Sequence, residues 1–190
     1  LQRAEELYRM SGELFARIGS ALGVAVTTQN RGEVLLLQGQ PAAARALVAA
    51  ALASYERISA RNFLPEALRL AAEIALTLGD LAGARDAVEQ ALAVADELGM
   101  APEAAAARRV RGQVALATGD LVTAAEDLAQ SRAELARLDG RYELGKTCYH
   151  QARLALARGD SAAFAAARAE ALAIFTELDA RRDLELVQAL

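Results

Sequence analysis

The chain has 190 residues, of which 54% are hydrophobic and only 4% aromatic, with three prolines, no tryptophan and a net charge of −4. This is helix-forming material rich in alanine, leucine, arginine and glutamate. The acidic balance supplies no global field to attract nucleic acid or an anionic membrane. Too little proline and too much apolar surface are present for a disordered chain. The single cysteine, Cys148, excludes an intramolecular disulfide. No apolar run approaches the roughly 20 residues that a membrane-spanning helix needs.

In chain order, residues 1–18 read as the second helix of an incomplete helix pair, and four complete pairs follow at about 21–58, 61–98, 101–138 and 141–178. Residues 181–190 open a further first helix, giving about ten helices in one domain over 1–190. The period is marked by Gly39, Gly79, Gly119 and Gly159, each forty residues after the last, and by Asp80, Asp120 and Asp160 behind three of them. A period without drift means one structural unit repeated. Glycine past a helix end suits a left-handed cap, and the following aspartate can accept from the free N–H groups of the next helix. Where the first unit lacks that aspartate the text is Gln40-Pro41, and Pro65 and Pro102 also fall at helix starts, where proline is tolerated.

Between the turns, equivalent positions align in columns. One reads Ala44, Ala84, Ala124 and Phe164; the next reads Val48, Val88 and Leu128, with Arg168 breaking it. Further on come Phe15, Tyr55, Ala95, Leu135 and Phe175, then Ile18, Ile58, Leu98, Leu138 and Leu178. Intervals of four, seven and three are those of one helical face. The fold expected is all-α, built from antiparallel helix pairs that bury their faces only by stacking.

These residues resemble the tetratricopeptide repeat in its long form of about forty residues. From Gly112 the pattern continues through Gly119, Ala124, Leu128 and Ser131. The same frame gives Gly32, Gly39, Ala44, Val48 and Ala51, then Ala72, Gly79, Ala84, Val88 and Ala91. The early tryptophan-like position is instead Leu68, Arg108 or Cys148, and the leucine before the first glycine is Arg31, Ala71, Arg111 or Gln151. Such divergent repeats are similar to those of bacterial multidomain signalling and transcription-regulatory proteins, and the ending from Ala173 to Leu184 is similar to the last unit of such arrays. The resemblance implies a right-handed superhelical solenoid and a cytoplasmic piece of a larger protein. It also implies a non-catalytic scaffold that binds a peptide or partner protein on a concave face lined by the first helices.

Carried over column by column, the resemblance places the groove on Val26, Gln29, Glu33, Leu37, Glu66, Arg69, Glu73 and Thr77. In the C-terminal part it falls on Ala106, Arg109, Gln113, Ala117, Lys146, Tyr149, Arg153 and Ala157. Glutamates dominate the first set, whereas Arg109, Lys146 and Arg153 dominate the second. The expected partner is an extended segment with a basic end toward Glu33, Glu66 and Glu73 and an acidic end toward the basic trio. Tyr149 is the expected aromatic anchor.

Gly140 to Thr147 reads GRYELGKT, a literal match to the phosphate-loop pattern in which backbone N–H groups and the lysine cradle phosphates. A phosphate loop follows a strand, however, and this segment follows helical text and falls in inter-helix turn columns. Nucleotide or anion binding there is the remote alternative. Cys148 and His150 lie two apart on one helix and point away from each other, which is no metal pair. With one histidine and no acid–base constellation, neither an enzyme nor a cofactor is expected. Arg108, Arg109 and Arg111 read as a solvated basic face. The other reading of function is self-association through the terminal helices, since 1–18 lacks a partner helix and Leu184, Leu186, Val187 and Leu190 form an apolar stub.

Overall fold

The computed structural model describes all 190 residues and is all-α. Ten helices follow in order: α1 (Gln2–Arg17), α2 (Ala21–Leu37), α3 (Pro41–Arg57), α4 (Leu64–Thr77), α5 (Leu81–Glu97), α6 (Ala101–Ala117), α7 (Leu121–Arg137), α8 (Arg141–Arg158), α9 (Ser161–Glu177) and α10 (Arg181–Gln188). A 3₁₀ turn at Arg61–Phe63 precedes α4. The helices group into two compact halves, Leu1–Gly99 and Met100–Leu190. Within each half, consecutive helices pack on one another, and the first helices of successive pairs also meet, α2 on α4 and α6 on α8.

The turns follow the expected chemistry. Gly119 has φ +83°, and the same left-handed turn recurs at Gly39, Gly79 and Gly159. Asp80, Asp120 and Asp160 accept from the backbone N–H of Gly83, Thr123 and Ala163 at 3.0, 3.0 and 2.9 Å. Pro41, Pro65 and Pro102 stand in the first turns of α3, α4 and α6.

The glycine series is only half of the turns. A second left-handed set falls midway, at Gly19, Ser59, Gly99, Asp139 and Asp179, so the backbone reverses every 20 residues. Ser59, Asp139 and Asp179 adopt φ of 57°, 55° and 49°. Short polar side chains tolerate that region better than most residues.

The core runs between the helices of each pair and on into the next, as where Ala44 and Val48 of α3 meet Leu70 and Ile74 of α4. Ala44, Ala84 and Ala124 are fully buried, as are Val48, Val88 and Leu128 to within 1%. In the last pair α9 is covered by the short α10, and the same columns hold the half-buried Phe164 and Arg168. The Arg168 guanidinium donates to the Val187 and Gln188 carbonyls instead of entering a core. It thereby satisfies carbonyls that the end of α10 leaves free.

Candidate functional site

Four columns of the first helices hold the expected groove, and the two halves treat them differently. In the N-terminal half, Glu33 of α2 and Glu66 of α4 are exposed. Gln29 is buried at 4% exposure and accepts a hydrogen bond from the Tyr55 hydroxyl at 3.0 Å, so it is a core acceptor. Arg69 is 9% exposed and pairs with Glu73 one turn along α4 at 3.1 Å. Burial, with the nearby Glu66 carboxylate adding to it, pushes the Tyr55 phenol up to about 12.

In the C-terminal half, Arg109 on α6 is 1% exposed. Its Nε and Nη2 donate to Glu143 Oε2 on α8 at 3.2 and 2.9 Å. Lys146 donates to the other oxygen of Glu143 at 3.1 Å and stands 5.5 Å from the centroid of the Tyr142 ring. Glu143 thus links two of the three basic groups. Sequence reading passed over it, although its i, i+3 spacing from Lys146 was a usable signal. Tyr149 is half-buried with its ring 4.9 Å from that of His150, and Arg153 is exposed. The Gln113 side-chain nitrogen is buried with no hydrogen-bond partner.

The arginine cluster on α6 is not the solvated face expected from its sequence. Arg108 pairs with Glu134 at 2.6 Å, Arg111 makes a two-pronged pair with Asp127 at 2.8 and 2.6 Å, and Arg109 is held by Glu143. Asp127 is itself 3% exposed, so these pairs sit within the helix packing, where guanidinium donors match carboxylates two at a time.

The GRYELGKT segment also differs from expectation. Only Gly140 lies in a turn, and Arg141 to Thr147 form the first two turns of α8. The Leu144 N–H is spent on the Gly140 carbonyl at 2.9 Å. A Cβ on Gly145 would lie 2.8 Å from the Phe175 ring, so this glycine serves close helix approach. Thr147 is fully buried and bonded to the Glu143 carbonyl and to Ser131, and Lys146 is held by Glu143. The segment contains no loop of free N–H groups. Cys148 is buried on the same helix, and desolvation pushes its thiol up to about 12.

No family model and no curated protein matches the chain. Among solved structures it is similar to BtubC (BKLC) from P. vanneervenii, with a TM-score of 0.72 at 15% identity over 99% of this chain and 87% of that one. At that identity the likeness shows the fold, an all-helical arrangement consistent with helical repeats.

Proposed function

We propose that the chain is a tetratricopeptide-like scaffold, without catalytic activity, that binds an extended peptide or partner protein through its first helices. In this reading it is the regulatory part of a larger cytoplasmic signalling protein of bacterial type. The observation that carries the proposal is the contrast between columns. The packing columns keep small or aliphatic residues, as at Ala44, Ala84 and Ala124, all buried. The first-helix column that reads Glu33, Glu73, Gln113 and Arg153 runs from acidic through neutral to basic. A repeated scaffold keeps what it packs and varies what it presents.

The structure narrows which of these side chains are exposed. Glu33 and Glu66 in one half and Arg153 in the other are exposed, and Tyr149 is half-buried. Gln29 and Arg109 are structural groups that orient their neighbours. Display of a random peptide library on the full chain should enrich sequences that lose affinity in Glu33→Arg with Glu66→Arg, or in Arg153→Glu, and that weaken as salt rises. Failure to enrich any peptide, or enriched peptides indifferent to all three changes, would overturn the reading.

A second reading, self-association, is favoured by one observation on α1. Leu7, Met10, Leu14 and Ile18 recur on one helical face and are 54%, 48%, 59% and 74% exposed. The terminal α10 is less suited to the same task. Glu185 stands in the column that reads Ala25, Pro65, Ala105 and Gly145, where a following helix packs closest. Light scattering across a concentration series tests this reading. A dimer that Leu7→Glu and Leu14→Glu dissolve supports it, and a concentration-independent monomer removes it.

A further inference from the structure

The C-terminal half contains a cavity of about 330 Å³ among α7, α8 and α9, and it shares no residue with the expected binding columns. Its floor is aliphatic: Ala125, Leu154, Ala155, Ala163, Ala166 and Ala167. Its polar lining is Arg132, Gln151, Arg158, Asp160 and Glu170. The volume falls at the low end of the roughly 300–1,000 Å³ typical of small-molecule sites.

The repeat supplies an internal control. Eighty residues earlier, in the N-terminal half, the positions of Arg132 and Arg158 are Leu52 and Leu78, and that of Ala125 is Arg45. Leu52 there packs against the apolar clusters of helices α2–α4, and Arg45 pairs outward with Asp80 at 3.6 Å. In the C-terminal half two leucines have become arginines at the mouth, while the bulky arginine has shrunk to alanine and opens the floor. Ala166 replaces Asp86 and Glu170 replaces Gln90 at the equivalent places, so the number of carboxylates is unchanged. The two leucine-to-arginine exchanges give up apolar side chains and so do not serve helix packing.

The charges present are already committed in part. Arg132 pairs with Glu170 at 2.6 Å, and Asp160 accepts the Ala163 N–H at 2.9 Å as the cap of α9. Arg158 donates from Nη2 to the Leu121 carbonyl and lies in an exposed position, with no carboxylate bonded to it. A guanidinium carries five N–H donors in a planar fork that fits a carboxylate, so this contact leaves most of them to offer.

We propose that this cavity binds a small aliphatic monocarboxylate, with its carboxylate on Arg158 and its hydrocarbon body on the alanine floor. Arg132 offsets the Glu170 carboxylate at the mouth, and the Gln151 amide, which donates to the Leu128 carbonyl at 3.4 Å, closes the inner wall. An amine of the same length meets the Arg158 guanidinium, and the two lining carboxylates are already engaged, Glu170 by Arg132 and Asp160 at the cap of α9. An alcohol keeps the apolar contact but loses the charge-assisted bonds.

Titration of the full chain with hexanoate, followed by calorimetry and by chemical-shift changes of the alanine methyl groups, tests the proposal. Saturable binding is expected for hexanoate, with hexanol at least roughly tenfold weaker and hexylamine inert. Arg158→Gln should weaken hexanoate by roughly tenfold or more. Ala166→Leu, which fills the cavity from a position outside the buried core, should abolish it, and circular dichroism melts of both variants check that the fold persists. Equal binding of hexanoate and hexylamine, indifference to Arg158→Gln, or no saturable hexanoate shifts would overturn it. Each outcome is independent of peptide binding by the first helices.

Discussion

Tyr55 in the N-terminal half and Phe175 in the C-terminal half occupy the same column, three repeats apart, and are held in opposite ways. Both are at most 1% exposed. Tyr55 stacks on Phe63 with ring centroids 5.3 Å apart and sends its hydroxyl to Gln29, so its pocket has one polar point. Phe175 presses against Gly145 and meets the Tyr142 ring edge-on at 6.0 Å, in a pocket with no polar atom to satisfy. The repeat therefore fixes where a large side chain goes and leaves open how it is satisfied. Gln29 and its counterpart Tyr149 differ for the same reason. The first completes a core hydrogen bond, and the second faces half outward where Phe175 asks nothing of it.

The comparison can be broken most severely at its apolar end. Phe175→Ala should cost about 3–5 kcal/mol, because the cavity it leaves is lined by Ile174, Leu144 and the Gly145 backbone, which cannot all collapse. Urea unfolding should report it as a lowered midpoint at unchanged slope. At the polar end, Tyr55→Phe should cost about 1–3 kcal/mol, since it strips the donor from Gln29 Oε1 while adding no void. Here Gln29→Leu in the same chain should restore much of the loss, which a purely steric role for Tyr55 would not allow.

The smallest effect at neutral pH is one that grows with alkali. The Cys148 thiol is raised from 9.0 to about 12, chiefly by burial and further by the Glu170 carboxylate, against an opposing pull from Arg132. The Tyr55 phenol is raised from 10.0 to about 12 by burial and Glu66. In both, the unfolded chain loses its proton first. The stability they contribute is complete below pH 9 and is lost as pH climbs toward about 12. Melting temperature should fall through that window, and Cys148→Ala should flatten the fall beginning near 9 while leaving the part due to Tyr55.

The fold was legible in the sequence because its signals are local and repeat. Gly119 with Asp120, or Pro41, act through the conformation of one or two residues, and each repetition confirms the register. The second set of turns was harder to see. Ser59, Asp139 and Asp179 adopt the left-handed conformation without the glycine that advertises it. The candidate site was legible only as positions. Column spacing places Gln29, Arg69, Arg109 and Tyr149 on equivalent surfaces of the first helices. Whether such a residue is presented or consumed depends on its neighbours from other helices: Tyr55 for Gln29, Glu143 for Arg109. The column of Arg109 contains nothing that announces a carboxylate 34 residues ahead. The cavity arginines were missed for a related reason: Arg132 and Arg158 look like ordinary surface arginines until set beside Leu52 and Leu78.

Within each half, the substantial contacts join helices one or two places apart in the chain. Such contacts close only short loops, so the entropy lost before the first favourable packing is small, and topologies of this kind fold quickly for their length. Each helical hairpin can act as a starting point, and its neighbours then condense onto it. Insertions at the exposed turns near Gly79 or Gly119 lengthen one local connection without separating distant partners, which makes those turns the natural places for the chain to acquire new sequence.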